Sequence, residues 1–455
     1  MKYRLSLLGI LLCFAGSAAA DLQWNIEEIT STPGIYRSVD LVLDQTDRPH
    51  VTYLFNSGLM YCVKESGIWE KTALPFTSLG SVDIELFSDG TPAFSTVEHY
   101  GSYPRVCYVY YDGSQWQTDT LGCAYQGIKN ACMVIDPDDV PHVLLHKFIY
   151  VNPYNAGTLL SYYTRETSGW EVDQILSYNT VDEGTIHEFD LCMTPFSNEP
   201  RAIYNLYSYN CSYLDFAWPE EKPEYWNWLM VHFGVDTDED ISLAIDQNGA
   251  AHCCCRRYDN LYYSTGGTGG FSDEVVDSED GVAEYSDIAL DEMGFPHIVY
   301  STPQGVRYAV RHIFGWQITD LTAAADIRTV SICVDSSGHP HAAWIDPENE
   351  KVFYAYFGES TGVSENLQGI GGFLEIQGVL PNPSASSSKV RFSIGETALV
   401  ELDVYSADGR LVWEYSSLYP QGVSSVTLPR LETGVYILRA EAMGSVETSR
   451  FTVRN

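Results

Sequence analysis

Carboxylates are the most numerous side chains in this sequence that could do chemistry. The 455 residues include 61 Asp and Glu, and two acidic pairs, Asp182-Glu183 and Glu220-Glu221, stand in long segments between predicted strands. Two carboxylates on either side of a glycosidic bond can hydrolyse it, one as general acid and the other as base or nucleophile. Because acidic residues are so frequent, neither pair is singled out. A secreted polysaccharide hydrolase or lyase is therefore an alternative function.

A further acidic group could bind a metal ion. Asp236, Asp238 and Asp240 alternate along one short segment, and Ca²⁺ takes carboxylate oxygens as ligands. The segment lacks the central Gly and the distal Glu of an EF-hand loop. We expect no cofactor, with Ca²⁺ bound by these three residues as the alternative.

Aromatic side chains gather in three long segments, 147–157, 177–187 and 205–228. Tyr and Trp rings combine an apolar face with a polar group, which suits contacts with sugars and proteins. Individual members, Trp226 among them, can instead belong to the core. The ligand-binding residues that we predict from these segments are Tyr150, Tyr154, Tyr207, Tyr209, Tyr213 and Trp218.

These segments interrupt a unit that recurs seven times. Each copy has a strand, a turn that usually contains Asp, a Pro-His pair or its equivalent, and a second strand, as in SDIALDEMGFPHIVY (286–300). A tyrosine-rich third strand follows, and then a fourth strand that opens with an aromatic residue. Four short antiparallel strands in about 40 to 50 residues is the period of a β-propeller blade. We predict an all-β chain whose residues 21–358 form a seven-bladed β-propeller.

The seventh unit ends after its third strand, KVFYAYF (351–357), and a Gly/Ser-rich linker (359–372) follows. The segment LQWNIEEI (22–29) has the form of the missing fourth strand, as in GWQITDL (315–321). We predict that this N-terminal strand completes the seventh blade. Closing the ring in this way hides the sheet edges that an open array would expose.

Three columns of polar residues run through the repeats. Asp44 ends a first strand and His50 begins a second strand, and both residue types recur in five copies. Side chains repeated so often serve the blade, so we interpret both columns as structural. The third column faces the predicted axis, where hydrogen-bonded structural carboxylates are our interpretation and a channel cation or ordered water is the alternative. Its members are Asp40, Asp83, Cys132, Asp190, Ser242, Asp287 and Ser331.

The repeat resembles the SxDIALDxxGxPHIxY propeller repeats of exported bacterial proteins, whose roles are largely unassigned. The resemblance extends over about residues 22–358 and is strongest at 286–300. It implies an exported propeller and names no ligand.

The chain begins with the three parts of a secretory signal. Lys2 and Arg4 precede an apolar run at 7–14, and three alanines at 18–20 supply a small-residue cleavage site. We predict a signal peptide over 1–20, with an uncleaved anchor as the alternative. No later segment is long and apolar enough to span a bilayer, so we expect a mature chain that is exported, soluble and monomeric.

Residues 373–455 predict a small Ig-like β-sandwich, because alternating runs such as VELDVY (400–405) form about seven short strands. The segment resembles the C-terminal sorting domain of the type IX secretion system. The resemblance rests on the Pro-Asn-Pro-Ser at 381–384, the Gly-Val-Tyr at 434–436 and the terminal Arg454. It implies that the export machinery is a partner and that the protein is secreted or held on the outer surface of a Gram-negative type of cell. A plain Ig-like accessory module is the alternative.

The formal net charge is −36. A protein surface with so much negative charge repels the phosphate backbones of nucleic acids, so we expect no nucleic-acid partner. The sequence predicts a secreted or cell-surface binding protein whose ligand is a glycan or a protein, in preference to an enzyme. The alternatives are the hydrolase or lyase named above and a structural component of the surface or matrix.

Overall fold

The computed structural model describes the chain as β-strands joined by turns. The described residues are 22–30, 34–78, 80–100, 103–123, 128–152, 155–178, 184–208, 211–219, 226–233, 240–279, 281–312, 315–323, 327–359, 374–380, 388–394, 398–406, 410–419, 422–442 and 445–454. They fall into two compact units, one of Trp24–Gly358 and one that includes Glu359–Asn455. The prediction of an all-β chain is confirmed.

The larger unit contains seven four-stranded antiparallel sheets within its described residues, and the first strand, β1 (Leu22–Glu28), belongs to the last sheet. The first sheet consists of β2 (Tyr36–Leu43), β3 (Pro49–Phe55), β4 (Gly58–Glu65) and β5 (Ile68–Thr77). The second consists of β6 (Val82–Leu86), β7 (Pro92–Tyr100), β8 (Tyr103–Tyr111) and β9 (Trp116–Cys123). The third consists of β10 (Ile128–Ile135), β11 (Pro141–Asn152), β12 (Asn155–Glu166) and β13 (Gly169–Tyr178).

The remaining sheets follow in chain order. The fourth consists of β14 (Thr185–Met193), β15 (Pro200–Ser208), β16 (Cys211–Pro219) and β17 (Trp226–Phe233). The fifth consists of β18 (Ile241–Ile245), β19 (Ala251–Arg257), β20 (Asn260–Gly267) and β21 (Gly270–Asp277). The sixth consists of β22 (Ser286–Leu290), β23 (Pro296–Thr302), β24 (Gly305–His312) and β25 (Gly315–Ala323). The seventh consists of β26 (Arg328–Val334), β27 (Pro340–Asp346), β28 (Lys351–Glu359) and β1.

The sheets follow one another in a propeller-like arrangement. The first strands of consecutive sheets contact each other, and β26 of the seventh sheet contacts β2 of the first. Apolar side chains fill the junctions between the sheets, as where Tyr53 of the first sheet shares a buried cluster with Tyr354 of the seventh. The core of this unit is therefore divided among the junctions, and each sheet buries both of its faces.

A repeated turn joins the first two strands of each sheet. Asp44 Oδ1 accepts hydrogen bonds from the backbone N–H of Thr46 (2.8 Å) and of Arg48 (3.0 Å). Burial acts to raise the pKa of Asp44, but these hydrogen bonds outweigh it and hold the pKa well below its usual range. One residue in each turn has positive φ, a conformation that Gly, Asn and Asp tolerate. These residues are Asp47, Gly90, Asp139, Asn198, Gly249, Gly294 and Gly338.

The N-terminal strand β1 lies beside β28, more than 300 positions away in the chain. Ile29 N donates to Val352 O (2.9 Å), and Val352 N donates to Thr30 Oγ1 (3.0 Å). The Trp24 ring packs edge-on against Tyr308 of the sixth sheet, with centroids 5.0 Å apart. The strand thus contributes hydrogen bonds to one sheet and apolar packing to the junction with another.

The smaller unit has two sheets around one core. One sheet has the order β29 (Leu374–Leu380), β30 (Lys389–Ile394) and β33 (Gly422–Thr427). The other has the order β32 (Leu411–Tyr419), β31 (Ala398–Ser406), β34 (Gly434–Ala442) and β35 (Ser445–Val453). Fully buried residues such as Phe392 and Leu402 join the two sheets in one apolar cluster. Within the described part of the chain, no helix is long and apolar enough to cross a membrane.

Candidate functional site

A cavity of about 190 Å³ lies where the first strands of the sheets converge. All seven members of the axial column predicted from the repeats line it, together with Glu188 and Asp240. The column reaches this position because side chains alternate along a strand, so one residue in two of each inner strand points to the axis. The wall of the cavity is therefore rich in carboxyl groups.

The axial side chains join each sheet to the next one. Asp40 Oδ2 accepts a hydrogen bond from the backbone N–H of Ile84 in the second sheet (2.8 Å). Five further junctions of the described ring have the same bond, from a backbone N–H of one sheet to an axial oxygen of its neighbour. These bonds are Met133 to Asp83 (2.5 Å), Leu243 to Asp190 (2.7 Å), Ile288 to Ser242 (3.3 Å), Ile332 to Asp287 (2.8 Å) and Leu41 to Ser331 (3.2 Å).

The junction between the third and fourth sheets differs, because its axial residue is Cys132. A thiol is a weak hydrogen-bond acceptor. The backbone N–H of Leu191, which would reach across this junction, bonds instead to Asp190 Oδ1 of its own sheet (2.7 Å). Among the described residues this is the one junction without the axial bond.

Burial raises the pKa of three axial carboxyl groups, those of Asp83, Asp190 and Asp287. It raises the pKa of Asp190 to about 7 and that of Asp287 to about 6. Burial and the nearby Asp40 carboxyl hold the pKa of Asp83 well above its usual range. Glu85, two residues along β6, has its pKa raised to about 8 by burial and by the Asp40 charge. The site therefore carries less negative charge at neutral pH than its carboxyl groups imply.

The axial oxygens of the described residues mainly accept hydrogen bonds from the neighbouring sheet. No group of three or more His, Cys, Asp or Glu side chains in the described residues is placed to hold a metal ion. The acceptor oxygens of the ring are already bonded to backbone N–H groups of the neighbouring sheet. Such an arrangement ties sheets together and leaves few free lone pairs for a general acid or base.

The Asp and His columns form repeated sets with a tyrosine of the third strand. His50 Nδ1 lies 2.6 Å from Tyr61 Oη, and His50 Nε2 lies 3.4 Å from Asp44 Oδ2. Burial lowers the pKa of His50, so the ring is neutral at pH 7. Equivalent sets occur at Asp136-His142-Tyr162, Asp246-His252-Tyr263, Asp291-His297-Tyr308 and Asp335-His341-Tyr354. Because five sheets share this set, it belongs to the architecture of the sheets.

Sequence reasoning missed a Ser-His-Asp cluster at the junction of the fourth and fifth sheets. His232 Nε2 lies 2.5 Å from Ser264 Oγ, and His232 Nδ1 lies 3.7 Å from Asp273 Oδ2. These residues have no motif spacing, because the three lie on different strands. The only signal was the presence of polar residues in apolar strands.

The hydrogen bond between His232 and Ser264 runs in the wrong direction for a serine nucleophile. Arg257 Nη1 lies 3.2 Å from His232 Nδ1. A guanidinium can only donate, so Nδ1 is the acceptor and Nε2 carries the proton. His232 then donates to Ser264 and cannot take its proton. Ser264 is also only 1% exposed, which closes it to substrates.

The predicted ligand-binding residues occupy different surroundings. Tyr207 is 37% exposed and packs edge-on against His187, with ring centroids 6.2 Å apart. Tyr213 is half-buried. Trp218 packs on Phe216 (5.8 Å between centroids) and on the apolar cluster between the fourth and fifth sheets, so it belongs partly to the core.

The remaining predicted site residues are only partly described. Asp240 is half-buried at the axial cavity, and its backbone N–H donates to Glu284 O (3.3 Å). The other candidates lie outside the described side chains; they are Tyr150, Tyr154, Tyr209, Asp236 and Asp238. The proposed Ca²⁺ group is thus represented by Asp240 alone.

Residues 378–454 match the family described as a secretion system C-terminal sorting domain. The match confirms the type IX sorting domain predicted from the sequence, with the export machinery as its partner. The protein is therefore secreted to the cell surface or the extracellular space. No curated protein matches the chain.

Solved structures with similar folds have very different sequences. A fungal alcohol oxidase of the AA5 family, in complex with copper, has a TM-score of 0.47 and 7% identity over 96% of this chain and 100% of that chain. A protein of unknown function from Dyadobacter fermentans has a TM-score of 0.45 and 10% identity over 74% and 99%. The polysaccharide lyase Uly1 has a TM-score of 0.47 and 8% identity over 71% and 90%. Likenesses this distant do not bear on activity.

Proposed function

We propose that this protein is a binding protein of the cell surface or extracellular space, and that it uses a seven-bladed propeller, closed by β1, as a rigid and non-catalytic scaffold. The observation that carries the proposal is the axial ring, in which side chains suited to chemistry already accept backbone hydrogen bonds between sheets. Their role is to fix the scaffold, and recognition is left to the segments that interrupt it.

A repeated contact supports closure of the ring by β1. Glu27 of β1 accepts hydrogen bonds from Lys64 Nζ (2.5 Å) and Trp69 Nε1 (3.0 Å) of the first sheet. The fourth strands of the second and fifth sheets make the same contact with the sheets that follow them. The equivalent groups are Asp119, Arg165 and Trp170, and Glu274, Arg311 and Trp316. Glu27 thus gives β1 the role of a fourth strand.

The long aromatic segments favour one end of the sheets as the binding surface. The connections β11–β12, β13–β14 and β15–β16 all lie at the same end, because alternate connections in antiparallel sheets share an edge. β11 and β12 have 12 residues each, which lengthens this end of the third sheet. The exposed Tyr207 lies on β15 at the same end. A surface of this composition suits a glycan or a protein ligand.

A binding array of glycans, with turnover of the same glycans measured in parallel, tests the proposal. We expect binding without turnover, and binding should weaken in a Tyr207→Ala variant that melts at the wild-type temperature. The matched control is Tyr111→Phe, since Tyr111 is 39% exposed on the second sheet. Turnover would establish the hydrolase or lyase instead. Binding to neither glycans nor surface proteins of the same cell would favour a structural component.

A further inference from the structure

Asp215 is a buried carboxyl group that has no counter-charge among the described residues. It lies on β16, the third strand of the fourth sheet, and is 4% exposed. In the described structure it makes no hydrogen bond or ion pair, and burial alone raises its pKa to about 6. A charge removed from water in this way is costly unless a partner compensates it.

The equivalent residue in another sheet shows which contact a side chain at the position of Asp215 can make. Asp215 stands opposite Tyr204 in the fourth sheet, as Arg307 stands opposite Tyr300 in the sixth. Arg307 Nη1 reaches Asp277 Oδ2 on the outer strand of the preceding sheet (3.0 Å). A side chain at this position therefore faces the junction with the preceding sheet. The junction of the fifth and sixth sheets thus holds both charges of a pair, whereas Asp215, at the junction of the third and fourth sheets, has no such partner among the described residues.

The side chains around Asp215 range from buried to exposed. Met230 lies directly opposite Asp215, and Trp228 lies opposite Ala217, so all four share one face of the fourth sheet. Tyr204 is only 2% exposed and closes the inner side. On the outer strand Met230 is 48% exposed and Trp228 is 63% exposed. Partly exposed apolar and aromatic side chains thus lie on the same face as one buried carboxylate.

We propose that this junction between the third and fourth sheets binds a lysine side chain presented by a partner protein. The ammonium group pairs with Asp215, and the methylene arm lies along Met230 and the face of Trp228. The charge is complementary, because no basic side chain of the described residues pairs with Asp215 and the chain as a whole carries a formal charge of −36. The site lies on the strands β16 and β17 and not on the connections proposed above as the binding end, so it does not depend on the function proposed above.

Calorimetric titration with a short lysine peptide, and with the same peptide acetylated at Nζ, tests the proposal on the full mature chain. We expect the free peptide to bind and the acetylated peptide not to bind. Asp215→Asn keeps the size of the side chain and should weaken binding at least about tenfold, the loss expected for a charged partner. Trp228→Ala should weaken it about three- to tenfold.

The control is Glu70→Gln, which removes the same charge from an exposed position on β5. It should bind as the wild type does, and the thermal melts of all variants should show that they are folded. The proposal is overturned if the wild type fails to bind the free peptide, if acetylation has no effect, or if Asp215→Asn binds unchanged. None of these results affects the glycan-binding experiment, so the two proposals fail separately.

Discussion

Ser331 Oγ donates a 2.8 Å hydrogen bond to Asp40 Oδ1, although the two residues are 291 positions apart in the chain. The bond lies on the axis, between the inner strands of the seventh and first sheets. Glu27 makes the corresponding connection near the rim through Trp69. The first and seventh sheets are thus connected both at the axis and, through Glu27 of β1, farther out.

Glu27→Ala should destabilise the larger unit. The substitution leaves Lys64 and the indole N–H of Trp69 without their acceptor, so we expect a loss of about 1 to 3 kcal/mol in the free energy of unfolding. Chemical denaturation measures it. Glu28→Ala is the control, because Glu28 pairs with Lys351 inside its own sheet at a site where both side chains are 31–39% exposed. It should cost less than about 1 kcal/mol. Equal losses would contradict the role given to Glu27.

Glu85→Gln should stabilise the protein increasingly as the pH rises. The pKa of Glu85 is raised in the folded state to about 8 by burial and by Asp40 and Asp190. Its contribution is therefore full below the unfolded-state pKa near 4 and is lost as the pH rises through 8. The difference in unfolding free energy between variant and wild type should grow by about 1 to 3 kcal/mol from pH 6 to pH 9. A difference independent of pH would refute this account of the axial site.

Ser264 should be inert toward reagents that label serine nucleophiles. The proton on His232 Nε2 and the burial of Ser264 both oppose attack. We expect no covalent adduct by mass spectrometry after treatment with a fluorophosphonate. Ser264→Ala should lower stability by about 1 kcal/mol through the lost hydrogen bond and should leave ligand binding unchanged. Labelling at Ser264 would overturn the structural interpretation of this cluster.

Tyr207→Ala should mainly weaken ligand binding, whereas Trp218→Ala should mainly lower stability. Tyr207 is exposed, so its loss should weaken ligand binding with little effect on the melting temperature. Trp218 packs in the junction between the fourth and fifth sheets, so its loss should cost about 2 to 4 kcal/mol of stability. Paired measurements of binding and thermal melting separate the two effects. If both variants keep full affinity for the ligand, the binding surface lies elsewhere.

Repetition made the all-β fold class predictable from the sequence. The Asp turn and the Pro-His pair recur at the period of four short strands, and each copy supports the interpretation of the others. The axial column followed from the same pattern, because a position repeated seven times has one environment. The sorting domain was predictable for a different reason, since several of its motifs occur within one separate segment, residues 373–455.

The sites between sheets were not predictable in this way. One such site lies between the fourth and fifth sheets, where Ser264, His232 and Asp273 come together. Their spacing in the sequence does not predict this contact. Asp215 is an ordinary acid in a sequence with 61 acidic residues. Its isolation is visible only beside Arg307 in the sixth sheet. A residue that differs from its equivalents in the other sheets can have a chemical role of its own. Its neighbours in the structure must be known before that role can be interpreted.

Cys132 sets one junction between sheets apart from the other described junctions. Six described junctions carry an axial hydrogen bond and the seventh, between the third and fourth sheets, does not. If two neighbouring sheets separate locally, we expect the separation to begin at the junction that lacks this hydrogen bond. The same joint contains Asp215 and adjoins the long aromatic segments. The junction that lacks the axial hydrogen bond is therefore also the one that contains Asp215, the carboxylate for which a lysine ligand is proposed above.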